Sequence, residues 1–335
     1  MRRMLVVCAL LMGLTLHAGS GWAHDASPAP AASASPALTR ALDGLTLRLV
    51  DLQGQHKRAM DPEGRKNALR DLLAVASARQ QRLAALIEDD PGAAIKAAMS
   101  ASVRAALPAE ALRYVEEDVT LEGELDVLHE DYANGGRYVH WLKLGGARLS
   151  VNFAAQAPPL QSGDRVRVRA LRVQHALAVG DGSQVEMLAA MVGNTFGAQK
   201  TAVILVAFSN QPGVSSTTAP QAQAVVFGAA TSVTNFFYEA SYQQTSLTGN
   251  VFGPYTISIS STGCDYYGIA LAAEQAATAA GVSLSSYTRR VYAFPSNGCA
   301  WWGLGTVGGY PSMAWNNRSF QNGVVAHEMG HNLGL

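Results

Sequence analysis

Charge is scarce in this chain and balanced in sign. Only 15% of its 335 residues are Asp, Glu, Lys or Arg, and the formal net charge is zero. Neither sign is clustered, so nothing calls for a nucleic-acid partner, whose phosphates need a basic surface. Cysteine is scarcer still, with three residues and no C-x-x-C pair that would make a redox motif. Long apolar runs are missing too. Beyond the N-terminus no stretch approaches ~18 consecutive apolar residues, so no stable membrane association is expected. Apolar residues as a class are abundant, at 48%, enough to fill the cores of two or three domains.

The N-terminus reads as an export signal. Arg2 and Arg3 precede an apolar stretch at 4–16, and small residues follow up to Ala23, after which cleavage is expected. Cys8 lies inside the apolar stretch rather than at its end, which argues against a lipid anchor. The mature protein is therefore expected to be secreted or periplasmic. Two cysteines remain after the cut, Cys264 and Cys299, and in an oxidising compartment an even pair is most simply one disulfide. Closing a loop of that length contributes roughly 3–4 kcal/mol in the chain-entropy model.

Along the chain, residues 24–37 form a Pro/Ala/Ser linker with nothing to bury. A helical prosegment is expected over 38–115. Within it 42–52 alternates like a strand, 65–88 and 93–107 show helical periodicity, and Pro108 starts a short third helix. His56, beside Lys57 and Arg58, reads as a solvated surface residue. Residues 116–195 carry short alternating strands with Asn134-Gly135-Gly136 and Leu144-Gly145-Gly146 as turns, the pattern of a small β-barrel or OB-like domain. Arg165, Arg167, Arg169 and Arg172 read as the solvated face of one such strand. His129 and His140 are scattered and make no metal site by spacing. A hinge and processing site is expected at 196–200, ahead of a catalytic domain at 201–335. That last region reads as a doubly buried strand at 202–208, helices at 219–240 and 266–280, strands at 251–259 and 290–294, an edge strand at 312–315 and a final helix. The expected fold class is α+β.

The chemistry is concentrated at 325–335, V-A-H-E-M-G-H-N-L-G-L. His327 and His331 are four apart, so on a helix both imidazoles lie on one face and can address one metal ion, with Glu328 beside them. This H-E-x-x-H arrangement suits two zinc ligands and a carboxylate general base. Val324, Val325 and Ala326 place the motif on a buried helix rather than a surface one, where paired histidines are costly unless used. The spacing extends through Gly334 toward H-E-x-x-H-x-x-G-x-x-H, whose third histidine would fall two positions beyond Leu335. The residues given thus supply two of three expected ligands, and the chain reads as a fragment or a product cut short.

Three stretches, F-F-Y-E-A-S-Y at 236–242, C-A-W-W-G-L-G-T-V-G-G at 299–309 and V-V-A-H-E-M-G-H-N-L-G-L at 324–335, together resemble the gametolysin-like metallopeptidases, family M11 of the metzincin group. The resemblance covers about 201–335. It implies a metzincin-like catalytic domain built on a twisted mixed sheet with long helices, made as a precursor behind an N-terminal extension. It further implies Zn2+ held by His327 and His331, Glu328 as general base, and a protein or peptide substrate laid along an edge strand near Gly308 and Gly309. Trp301 and Trp302 read as packing residues and Glu239 as structural. Some metzincins block their zinc with a propeptide cysteine. Residues 24–200 contain none, so a carboxylate or histidine would have to serve, and the sequence singles out neither. The expected function is a secreted zinc endopeptidase precursor acting on extracellular or cell-wall protein; the alternative is a non-catalytic binding protein, or an inactive fragment, that keeps the fold. No oligomeric state is implied.

Overall fold

The computed structural model describes residues 36–228 and 230–335. The expected signal peptide lies outside the described residues, as does the linker up to residue 35. Helices open the described chain: α1 (Pro36–Arg58), α2 (Pro62–Asp89), α3 (Pro91–Ala97) and α4 (Ala101–Ala105). Strands follow: β1 (Glu117–Tyr132), β2 (Gly135–Leu144), β3 (Ala147–Phe153), β4 (Arg165–Val173), β5 (Ala176–Val179) and β6 (Val185–Ala189). The remainder mixes the two: β7 (Gly197–Phe208), α5 (Ala219–Phe227), α6 (Val233–Ala240), β8 (Thr245–Ile257), α7 (Tyr266–Ala279), β9 (Arg289–Phe294), β10 (Gly303–Thr306), β11 (Ser312–Asn317) and α8 (Asn322–Asn332). The class is mixed α and β, with the strands joined in one large sheet in the order β6-β4-β5-β3-β2-β1-β10-β11-β9-β7-β8.

Several expected elements differ. Residues 42–52 belong to α1, not to a strand. Leu42, Leu49 and Leu52 are buried there at helical spacing, while Leu47, which made the run look alternating, is exposed. The helix expected over 93–107 is two, because Ser100 caps a new start with its hydroxyl on the Val103 amide. The helix expected over 219–240 also divides: α5 ends at Gly228, and Ser232 caps α6. Residues read as a hinge at 196–200 enter β7 at Gly197. The segment expected as an edge, β11, lies inside the sheet between β10 and β9.

The first five strands close on themselves. β1 pairs with β2, β2 with β3, β3 in parallel with β5, β5 with β4, and β4 returns to β1. Leu125, Val127, Leu142, Leu149, Val166, Val168 and Leu177 fill the inside of this ring. β1 is longer than the ring requires. Its first half, 117–124, pairs with β4, and its far end, 128–131, pairs with β10 in the C-terminal region. At its root Glu116 is fully buried and receives two bonds from Arg79 of α2, at 2.5 and 3.0 Å. Such a pair is desolvated at a cost and held by its geometry; removing one partner strands the other charge.

The C-terminal strands carry helices on both faces. Alternate residues of β7 divide between two cores, Ala202, Ile204, Val206 and Phe208 packing with α7 and Val203 and Leu205 with α5, α6 and α8. That explains the unbroken apolar run, because neither face meets water. Cys264 and Cys299 are joined in a disulfide. Among the described residues no helix is long and apolar enough to cross a membrane.

His140 of β2 is buried edge-on to Phe153, with ring centroids 5.2 Å apart. Burial lowers its pKa to about 4. The unfolded chain, with His at about 6.5, then binds more protons than the folded one between about pH 6.5 and 4, so stability falls as pH falls through that window. Thermal melts across it are expected to lose up to about 3 kcal/mol from this group, and His140→Leu should flatten that part of the profile; an unchanged slope in the variant would show that His140 does not carry it.

Candidate metal centre

α8 presents Val325, Ala326 and Met329 to the core shared with α5 and α6. Its opposite face carries His327 and His331. Beyond the helix, Gly334 takes φ +87° and the Leu335 amide donates back to the Gly330 carbonyl at 3.1 Å, a left-handed termination that suits glycine. Two residues fix the C-terminal end of α8. The Asn332 side-chain amide donates to the carbonyls of Thr306 and Met313, at 2.9 and 2.8 Å. Arg289, almost wholly buried, donates to the Asn332 carbonyl at 3.2 Å and to Gln199 and Ser312; burial lowers its pKa.

β10 passes directly over this helix, and its glycines make that possible. A Cβ at Gly303 would overlap Glu328 Oε1, and one at Gly305 would stand 2.7 Å from the Glu328 carbonyl oxygen and 3.1 Å from His331 Cβ. Glu328 is thus buried between helix and strand, at 1% exposure, with Oε2 making no hydrogen bond among the described residues. Burial, with the charge of Asp131 next, pushes its pKa well above the usual carboxylate range.

The pairing of β1 with β10 sets Asp131 opposite Gly303 and His129 opposite Gly305. Residues opposed in an antiparallel pair share a face, so both side chains project over the bare glycine positions toward α8. Asp131 meets both histidines of the motif there. Oδ1 lies 3.0 Å from His327 Nε2, and Oδ2 lies 3.2 Å from His331 Nε2. His129 Nδ1 lies 3.0 Å from the same carboxylate, and its ring centroid is 4.5 Å from that of His331. Burial raises the Asp131 carboxyl, but the hydrogen bonds from His129, His327 and His331 outweigh it and hold the group well below its usual range. The same contact raises His327 above its ordinary value, against burial. His331 Nδ1 lies 3.1 Å from the Leu335 carbonyl oxygen.

One potential ligand atom from each of His129, Asp131, His327 and His331 falls within 4.8 Å of all the others. Two ligands on one zinc, each about 2.0–2.2 Å away, are at most about 4 Å apart, so a small side-chain adjustment suffices. Imidazoles with a carboxylate are a donor set for borderline divalent metals. The residues fit a metal ion.

Residues 200–335 match the gametolysin peptidase M11 family. That family is one of peptidases, and the matched stretch includes the helix that bears the histidines. No curated protein matches the chain. Within the M11 region His327 and His331 share the cluster, and Glu328 lies beneath it. Trp301 is a core residue as expected, whereas Trp302 is half-exposed. Glu239 accepts from Asn235 on its own helix and is not part of the cluster.

Strand pairing supplies what spacing does not: the β1–β10 ladder brings His129 and Asp131 to the motif across some 200 positions. Spacing along the chain holds no such signal. The pattern that does is His129-x-Asp131, two residues on one face of a strand, matched by Gly303-x-Gly305 on a second strand.

Gly303→Ala is expected to destabilise the protein by about 1–3 kcal/mol, as overpacking does. The loss should shrink in a Glu328→Ala background, where the obstructing carboxylate is gone; denaturant unfolding of both single variants and the double variant checks this. Equal losses in both backgrounds would mean that the glycine does not make room for Glu328.

Proposed function

We propose that this chain is the precursor of a secreted zinc endopeptidase that cleaves extracellular or cell-wall protein, with His327 and His331 as zinc ligands and Glu328 as general base. The observation that carries it is the convergence of both histidines and a buried carboxylate on one helix face within the region that matches M11 peptidases. A zinc ion at this place would make a water acidic enough to lose its proton near neutral pH and would polarise the scissile carbonyl. Glu328 then has the proton-carrying role. Its Oε2 has no hydrogen-bond partner among the described residues, and its raised pKa suits a group that takes a proton and gives it to the departing amine. Gly303 and Gly305 let the strand lie close enough to shield that carboxylate from bulk water. The closed ring of β1 to β5 supports an OB-like reading of residues 116–195. We take the division at about 196–200 as that between precursor segment and catalytic domain.

The test is zinc content together with casein or gelatin cleavage, assayed on zinc-loaded chain before and after limited proteolysis. Glu328→Gln should bind zinc as wild type does while losing about 10²–10⁴-fold in hydrolysis. His331→Ala should lose the metal. Full activity in Glu328→Gln would remove the general-base role, and casein left uncut under all conditions would favour the non-catalytic alternative.

A further inference from the structure

We infer that His129 and Asp131 are metal ligands supplied by the N-terminal segment, so that the uncleaved chain holds its ion in a closed site made by both halves of the molecule. This rests on the metallopeptidase reading above and adds which residues shut the site.

The carboxylate is not a casual neighbour. Each of its oxygens serves a different histidine of the motif, at 3.0 and 3.2 Å. Its backbone is fixed from both sides, since 124–132 pairs with β2 and 128–131 with β10. The Trp302 amide donates to the Asp131 carbonyl at 2.8 Å, and the Val307 amide to that of Val127, also at 2.8 Å. β1 at this point is an interior strand, so the backbone that carries the carboxylate is held on both sides. Its root is anchored as well, by the buried Arg79–Glu116 pair.

Two consequences follow from general coordination and strand chemistry. Catalytic zinc sites keep one position for water or substrate, whereas closed four-ligand sites are structural. Among the described residues His129, Asp131, His327 and His331 offer four ligands, which fills the position that a catalytic site leaves to water. An extended peptide binds most simply by adding to a free strand edge, and the β10 edge beside the cluster is already occupied by 128–131. One stretch of β1 thus covers both the metal and the strand over it. The uncleaved chain is then latent through this carboxylate.

The experiment uses the full chain and reads the metal rather than peptide cleavage. Zinc affinity is measured by competition with a chromophoric chelator, and the cobalt-substituted protein is titrated with acetohydroxamate while its visible absorption is followed. Asp131→Ala should weaken zinc at least about 10- to 100-fold, the loss that removing even an outer-shell partner brings, and its cobalt spectrum should respond to acetohydroxamate where wild type does not. Asp131→Asn, which keeps the shape, decides the matter should the alanine variant melt early. A folded Asp131→Asn that binds zinc like wild type and shares its hydroxamate response would overturn the inference. His331→Ala separates the two levels. Its loss of zinc beside wild-type binding in Asp131→Asn would sink this inference alone, whereas retained zinc in His331→Ala would sink the metal reading along with it.

Discussion

The far end of β1 lies antiparallel on β10, and the rest of the site depends on that ladder. It sets Asp131 and His129 over two glycines, and the glycines admit α8 from the other side. Without the ladder, His327 and His331 would remain a helix motif with no third protein partner among the described residues. The ladder lies between a closed five-stranded ring and a sheet with helices on both faces, joining parts that each have their own apolar core.

Electrostatics and packing reinforce one another here. A carboxylate drawn from water needs compensation, and Asp131 finds it in three imidazoles. Glu328, buried deeper and beside that negative charge, has no such help and moves the other way. Two carboxylates a few side chains apart are thus driven to opposite proton affinities by their surroundings, one suited to holding a cation and one to carrying a proton. Arg289 and Asn332 keep α8 in register with β10 and β11 from its C-terminal end.

Much of this was legible in the chain itself. H-E-x-x-H at 327–331 puts two histidines on one helix face by its spacing, the unbroken run at 202–208 marks a strand covered on both faces, and the two cysteines left beyond the expected signal peptide suggest their own pairing. Other parts were not legible, for physical reasons. Residues 42–52 look alternating because Leu45, Leu47 and Leu49 are two apart, yet it is the longer spacing of Leu42, Leu49 and Leu52 that is buried. Asp131 could not be chosen from spacing along the chain, since strand pairing brings together residues distant in sequence. Its only local mark is a period of two shared with His129.

The central claim is that the N-terminal strand contributes to the metal site, and a zinc-edge anomalous difference map from crystals of the zinc-loaded intact chain tests it most directly. The account expects one peak about 2.0–2.2 Å from an Asp131 oxygen and from a nitrogen of each of His129, His327 and His331. A peak bound by the two α8 histidines, with Asp131 turned away and water in its place, would contradict it.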